Sequence, residues 1–315
     1  MAETFGMSLP RRVIPGRTYL FTRRTSQREF LLRPDAEVNA IFEYCLAVAA
    51  KKFKMVIHGW MVMSNHYHLL ATDSAGRYPD FLAWLNRMTA RALNIKWGRE
   101  ENLWSTAQAS VVWCVTSADA FRMLVYLLAN PVAADLVGRT KDWPGSSSLG
   151  LHLHGAALSV ERPANYFSKR SKLPHTVELT VVPIPGLGGM TEAAYSRKIL
   201  RALRHQETLA RSRRERSGKK PLGREAVLAT RPTARPADPA GRHAGGQPHL
   251  ACGEKKRRSK EFRALASFWS AHREARERFC VGDREVLFPI GTYRMCTYGA
   301  IAALPDPLLS FAQVA

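Results

Sequence analysis

The chain has 315 residues, room for one or two domains, since a domain commonly takes about 100–200 residues. Apolar residues make up 46%, which excludes wholesale disorder, and 47 Lys plus Arg against 26 Asp plus Glu leave a formal net charge of +21. Such an excess repels itself in water and calls for an anionic partner; nucleic acid is favoured over a membrane, because neither a lipidation motif nor a basic amphipathic helix opens the chain.

Residues 16–24 (GRTYLFTRR) read as a strand, and Pro34-Asp35 as a turn and helix cap. Over residues 38–53, Ile41, Phe42, Cys45, Leu46 and Val48 fall at helical spacing. KMVIHGWMVM (54–63) predicts a strand, Ser64-Asn65 a turn, and HYHLLAT (66–72) the returning strand of a hairpin. A helix starts near Pro79, carries Phe81, Trp84, Leu85, Met88, Ala92 and Leu93, and ends near Gly98. QASVVWCV (108–115) is a further strand. Ser117 is expected to cap a helix with Asp119 in its first turn, and Pro131 to stop that helix after Asn130. The order βαββαβ, followed by one more helix, predicts an α+β fold: a ferredoxin-like antiparallel sheet with helices on one face, plus extra C-terminal helical segments.

Beyond about residue 175 the composition shifts. Residues 180–185 predict a short strand. Residues 191–214 predict a helix with a basic face of Arg197, Lys198, Arg201, Arg204 and Arg211. Residues 218–250, rich in Pro, Gly, Ala and Arg, read as a flexible linker. KKRRSK (255–260) is a basic run before a helix over 261–279 with Phe262, Leu265, Phe268 and Trp269 on its apolar side. Three regions are expected: a catalytic domain over 1–175, a basic helix and linker over 176–250, and a small basic region over 251–315 that adds affinity rather than chemistry.

The opening MAETFGMSLPRR lacks the charged-then-apolar order of a signal peptide, and the apolar run from Gly299 is broken by Pro305, Asp306 and Pro307. The five cysteines (Cys45, Cys114, Cys252, Cys280, Cys296) are odd in number and form no C-x-x-C pair, which argues against a disulfide framework and suits a reducing cytoplasm.

His66 and His68 flank Tyr67, and on a strand positions i and i+2 share a face, so two imidazoles stand side by side as the start of a divalent-metal site. An isolated pair of this kind is more often two ordinary polar side chains; the rest of the chain gives this one weight. Met63-Ser64-Asn65-His66-Tyr67-His68-Leu69-Leu70 resembles the His-hydrophobic-His signature of single-tyrosine HUH transposases. Tyr126-Leu127-Leu128-Ala129-Asn130-Pro131-Val132-Ala133-Ala134 resembles their nucleophile helix, and Trp143-Pro144-Gly145-Ser146-Ser147 the end of their domain. The likeness is strongest to the REP-associated tyrosine transposases and covers about residues 11–150, with Ser64 standing where the pattern has Pro.

The resemblance implies that Tyr126 is the nucleophile and that Asn130 completes a metal site with His66 and His68. Read without it, Asn before Pro is an ordinary helix terminator. Two imidazoles and a carboxamide oxygen suit Mg²⁺ or Mn²⁺. A phenol is a weak nucleophile at neutral pH, and a cation on the scissile phosphate would help by withdrawing charge. Arg122, Tyr126 and Asn130 fall at i, i+4 and i+8 on one helix face. Arg122 is either a group that steadies the phenolate or grips a phosphate, or a solvent-facing helix arginine. Arg11, Arg12, Arg23 and Arg24 are expected to contact phosphates.

The implied reaction is transesterification of single-stranded DNA, with a 5′-phosphotyrosine and a free 3′-hydroxyl, on a hairpin with a short flanking single strand. The implied protein is a monomer or a homodimer. The alternatives are a replication initiator or relaxase, disfavoured by the lack of a P-loop, and a non-catalytic DNA- or RNA-binding protein on the same fold. His58 is expected to be structural. His152 and His154 form a second H-x-H pair beyond the domain's end and are a weaker candidate.

Overall fold

The computed structural model describes residues 9–155, 157–237, 248–299 and 301–304. The chain divides into two compact units, Gly16–Ala251 on the one hand and Met1–Pro15 with Cys252–Ala315 on the other.

The larger unit begins β1 (Arg17–Arg24), α1 (Ala36–Phe53), β2 (Met55–Met63), β3 (His66–Asp73), α2 (Tyr78–Trp97), β4 (Ser110–Cys114), α3 (Ser117–Ala133). Local chemistry sets these limits. Asp35 caps α1, its Oδ1 accepting from the Val38 N–H at 2.9 Å, and Lys51 and Lys52 sit in the last turn where the helix dipole favours cations. Pro79 lies in the first turn of α2, and Gly98 closes it with φ 60°, a left-handed cap that glycine adopts without strain. The sheet order is β2-β3-β1-β4-β7, where β7 is Leu250–Ala251. β2, β3, β1 and β4 are mutually antiparallel neighbours, and β7 adds one parallel edge pair. The central order 2-3-1-4 is the ferredoxin-like arrangement.

The period of two along the strands assigns the faces. Tyr19, Phe21, Tyr67 and Leu69 turn toward α1 and α2, where Phe42 lies 5.1 Å from Tyr67 and Phe81 6.3 Å from Phe21, ring centre to ring centre. Leu20, Met61, Met63, Leu70 and Val112 turn the other way and meet Leu124, Val125, Leu127 and Leu128 of α3. The two helices of the βαββαβ unit, α1 and α2, lie on one face as expected, and α3, the helix that follows the unit, covers the other. α3 is apolar around most of its circumference, so its outer side also needs cover. α5 (Glu192–Ser217) supplies it with Tyr195, Ile199, Leu203 and Ala210.

Three local expectations are corrected. Thr116, not Ser117, caps α3: its Oγ1 accepts from the Asp119 N–H at 3.1 Å and the Asp119 carboxylate accepts from the Thr116 N–H at 3.0 Å. Ser117 instead donates to the Pro185 carbonyl. α3 does not stop before Pro131 but runs to Ala133. A proline removes only its own N–H and crowds the carbonyl four residues back, so it is tolerated so near a helix end. Residues 180–185 form no strand. Pro183 and Pro185 have no N–H to give a ladder, and only Val182 bonds to β2, at 2.9 Å to the Ile57 carbonyl. The paired strands are instead β5 (Leu158–Glu161) and β6 (Thr176–Leu179), a two-stranded sheet beside α1. Between α3 and β5 lies the short helix α4 (Leu149–His154).

The C-terminal end of α5 grips the end of α3. Arg213 Nη2 donates to the Ala133 carbonyl and to Asp135, both at 2.8 Å, while the buried Arg214 donates to Asp135 at 3.2 Å. Residues 218–237, read as linker, pack on the same unit: the Leu222 N–H donates to the Asp135 carbonyl at 2.9 Å, and α6 (Arg224–Ala229) buries Val227. Within the 218–250 stretch residues 238–247 lie outside the described residues, as do 305–315.

In the smaller unit, α7 (Lys255–Cys280) and α8 (Arg294–Tyr298) enclose Ala275, Val286 and Phe288, with Phe279, Met295 and Ile301 around them. Trp269 donates to the Pro10 carbonyl at 3.0 Å. Residues 255–260 occupy the first turns of α7 and are exposed. No helix among the described residues is long and apolar enough to cross a membrane.

Ile199 is fully buried between α5 and α3. Ile199→Ala should lower the unfolding free energy by about 2–5 kcal/mol, the range for a core truncation of this size, as measured by urea denaturation. A loss under about 1 kcal/mol would mean that α5 is not part of the core.

Candidate active site

The register of β1 against β3 builds one wall of the site. Thr22 lies opposite His68 and Arg24 opposite His66, with Met61 and Met63 of β2 on the far side. The two imidazoles stand edge to face, ring centres 4.8 Å apart, and their Nε2 atoms approach to 3.1 Å. Both Nδ1 atoms are engaged elsewhere: that of His66 with Asn65 Oδ1 at 2.7 Å, and that of His68 with Thr22 Oγ1 at 2.7 Å.

α3 supplies the facing wall. The Asn130 amide nitrogen, Nδ2, lies 3.1 Å from His68 Nε2. One turn earlier, Tyr126 is 49% exposed while Leu124, Val125, Leu127 and Leu128 are buried, and its ring packs edge-on to His68 at 5.4 Å. The structure thus brings together four residues that the sequence singled out: His66, His68, Tyr126 and Asn130.

The electrostatics keep the histidines neutral. Burial lowers the His66 pKa to about 4, and the cationic Arg24 and Arg28 push in the same direction. Burial holds His68 well below its ordinary value, with His66 and Arg24 adding to the effect. A neutral imidazole is the ligand form. Two ring nitrogens 3.1 Å apart repel each other unless a proton or a cation lies between them. With the Asn130 amide turned over so that its oxygen takes the place of Nδ2, two imidazole nitrogens and one amide oxygen would suit a divalent cation. Among the described residues no three His, Cys, Asp or Glu side chains form a metal-binding group.

The arginines part company. Arg24 shares the histidine face and is exposed. Arg23, one residue earlier, points to the opposite face, where it donates to the Ser105 carbonyl at 2.9 Å and to the Ala107 carbonyl, with its guanidinium 6.0 Å from the Trp104 ring. Arg122 pairs with Asp119 of the α3 cap and keeps about half its side chain exposed (53%). Arg11 and Arg12 belong to the smaller unit, where Arg12 lies over Phe268.

His152 and His154 do not form a pair. They lie on a helix, where positions i and i+2 diverge by about 200°. His152 is buried, its pKa lowered to about 4 by burial, while His154 is exposed. His58 is buried in a β2 irregularity, hydrogen-bonded to the Val182 carbonyl at 2.8 Å and to Thr72 Oγ1 at 2.7 Å.

Sequence reasoning missed Thr22 and Asn65. Thr22 is distant in sequence and needs the strand register to reveal it. Asn65 was legible only as a turn residue. Its neighbour in space is the turn after β1, where Gln27 and Arg28 both take left-handed φ, 54° and 59°. Each such residue costs about 1–2 kcal/mol. The turn is held by the Thr25 N–H to the Asn65 carbonyl at 2.9 Å and by Thr25 Oγ1 to the Glu29 carbonyl at 2.6 Å.

No family model matches this sequence, and no curated protein does. Two solved structures are similar in part. One is a REP-associated tyrosine transposase bound to a REP hairpin, at 17% identity over 58% of this chain and 99% of that one, with a TM-score of 0.39. The other, a Deinococcus radiodurans R1 protein assigned as a transposase, is 23% identical over 34% of this chain and 85% of that one, with a TM-score of 0.27. Similarity of this extent says nothing about a reaction, and the chemistry rests on this chain's own residues.

His66→Ala and His68→Ala should each weaken Mn²⁺ binding at least about tenfold, a loss of about 1.4 kcal/mol or more, in isothermal titration calorimetry. Unchanged affinity in both variants would leave the pair as ordinary polar residues.

Proposed function

We propose that this chain is a transposase-type nickase and strand transferase for single-stranded DNA. One observation carries the reading: an exposed tyrosine, Tyr126, packs against His68, whose Nε2 lies 3.1 Å from both His66 Nε2 and the Asn130 amide.

The Tyr126 oxygen attacks the phosphorus of a DNA phosphodiester. The bond to the 3′-oxygen breaks, that strand end leaves as a free 3′-hydroxyl, and the 5′-phosphate stays on the tyrosine. Attack by a 3′-hydroxyl reverses the step and rejoins strands. The phosphotyrosine conserves the diester's energy, so no nucleotide hydrolysis is required. Mg²⁺ or Mn²⁺, held by His66, His68 and Asn130, would withdraw charge from the phosphate oxygens and orient the phosphorus. Burial keeps both histidines neutral with their lone pairs available. Arg24, exposed on the same face, offers a positive charge to the incoming phosphate. The ion pair with Asp119 holds Arg122 on the α3 cap, one turn before the tyrosine.

The substrate would be a DNA hairpin with a flanking single strand. Its backbone has a surface to follow. Arg197, Lys198, Arg201, Arg204 and Arg211 of α5 are all exposed, and Lys198 lies 5.1 Å over the ring of Phe121, the residue before Arg122 on α3. The exposed 255–260 run gives the smaller unit a basic surface of its own.

Tyr126→Phe should abolish the covalent protein–DNA adduct, read on a denaturing gel, while filter binding of the same oligonucleotide changes by less than about threefold, under about 0.7 kcal/mol. An adduct formed by the Phe variant would remove Tyr126 as the nucleophile. Replacing Arg201 and Arg204 together with Ala should flatten the dependence of log affinity on log salt by up to about 0.7 per lost phosphate contact. An unchanged slope would take α5 out of the DNA-binding surface.

A further inference from the structure

The Asn65 side chain is bracketed by a group of fixed polarity. Its Nδ2 donates to the Arg28 carbonyl at 3.3 Å, and a carbonyl oxygen only accepts. The amide oxygen must then face the other way, where it stands 2.7 Å from His66 Nδ1. A carboxamide oxygen cannot donate, so the proton of this bond belongs to Nδ1 of His66. Nε2 is left with its lone pair, 3.1 Å from His68 Nε2. His68 has no such lock. Its Nδ1 partner is the Thr22 hydroxyl at 2.7 Å, which serves as donor or acceptor by rotation about its C–O bond.

The left-handed turn at Gln27 and Arg28 explains how the carbonyl is presented. Thr25 ties that turn to the backbone of Asn65 twice, through its N–H at 2.9 Å and its hydroxyl at 3.0 Å. The turn and the residue before His66 therefore hold each other in place.

We propose that Asn65 is a positioning residue: oriented by the Arg28 carbonyl, its amide fixes His66 as the Nδ1–H tautomer and keeps the Nε2 lone pair presented to a divalent cation, while the Thr22 hydroxyl lets His68 carry its proton on Nε2 without a cation and on Nδ1 with one. Second-sphere partners of ligating histidines act in this way, and their loss typically weakens metal binding about 10–100-fold. The proposal rests on the reading of His66 and His68 as cation donors, not on strand cleavage.

The test uses the full chain without DNA. Long-range ¹H–¹⁵N spectra of the metal-free wild type at neutral pH should show His66 as the Nδ1–H tautomer. Asn65→Ala should populate the Nε2–H form and weaken Mn²⁺ binding about 10–100-fold by calorimetry. Asn65→Asp loses the bond to the Arg28 carbonyl but keeps an acceptor for His66. It should retain the Nδ1–H tautomer and bind Mn²⁺ nearly as the wild type does. An Nε2–H tautomer at His66 in the wild type would overturn the proposal. So would an Asp variant as impaired as the Ala variant, because the residue would then act only through its turn. The wild-type and Asp measurements decide the matter even if Asn65→Ala does not fold, and the tautomer is read without DNA, so a chain that fails to nick still gives an answer.

Discussion

The pairing register of β1 with β3 is the constraint on which the site depends. Side chains alternate along a strand, so a slip of one residue would turn His66 and His68 into the α1–α2 core and Tyr67 out of it. The register is over-determined by burial on both faces. Tyr67 and Leu69 fill one core, Leu70 the other, and Thr18 and Thr72 share a buried hydrogen bond of 2.6 Å across the strands. A slip would break the Thr18–Thr72 bond and carry His66 and His68 away from Asn65 and Thr22. The histidines inherit their positions from this packing.

The second wall of the site depends on the first through α3. The helix is anchored at its start by the Thr116–Asp119 capping box and at its end by the two arginines of α5 on Asp135. Between these anchors its apolar residues lie against the sheet and α5. Tyr126 and Asn130 need no local device to reach the histidines: the face left over after packing carries them. α5 thus has two sides with different duties, an apolar one that completes the core and a basic one that faces solvent.

The site combines burial with nearby positive charge. Burial keeps the histidines neutral, and Arg24 and Arg28 strengthen that effect. The same cations make the surroundings hospitable to an anion. This is consistent with a chain of net charge +21 and with the phosphate that the proposed reaction would bring to the site.

The elements that recur with a regular period were legible in the sequence. The apolar runs on either side of the Ser64-Asn65 turn in 54–72 marked a hairpin, Pro34-Asp35 marked the start of α1, Gly98 the end of α2, and the spacing of His66 with His68 implied a shared face. Each of these signals acts over a few residues, so the chain carries it locally. The partnership of Thr22 with His68 was not legible, because 46 residues separate them and only strand register joins them. Nor was the divergence of Arg23 and Arg24, which hangs on which face of β1 is which. The helix running through Pro131 and the core role of α5 were likewise decided by tertiary packing. The buried surface around α3 outweighs one missing N–H, and an apolar helix side must be covered by whatever the fold brings next to it.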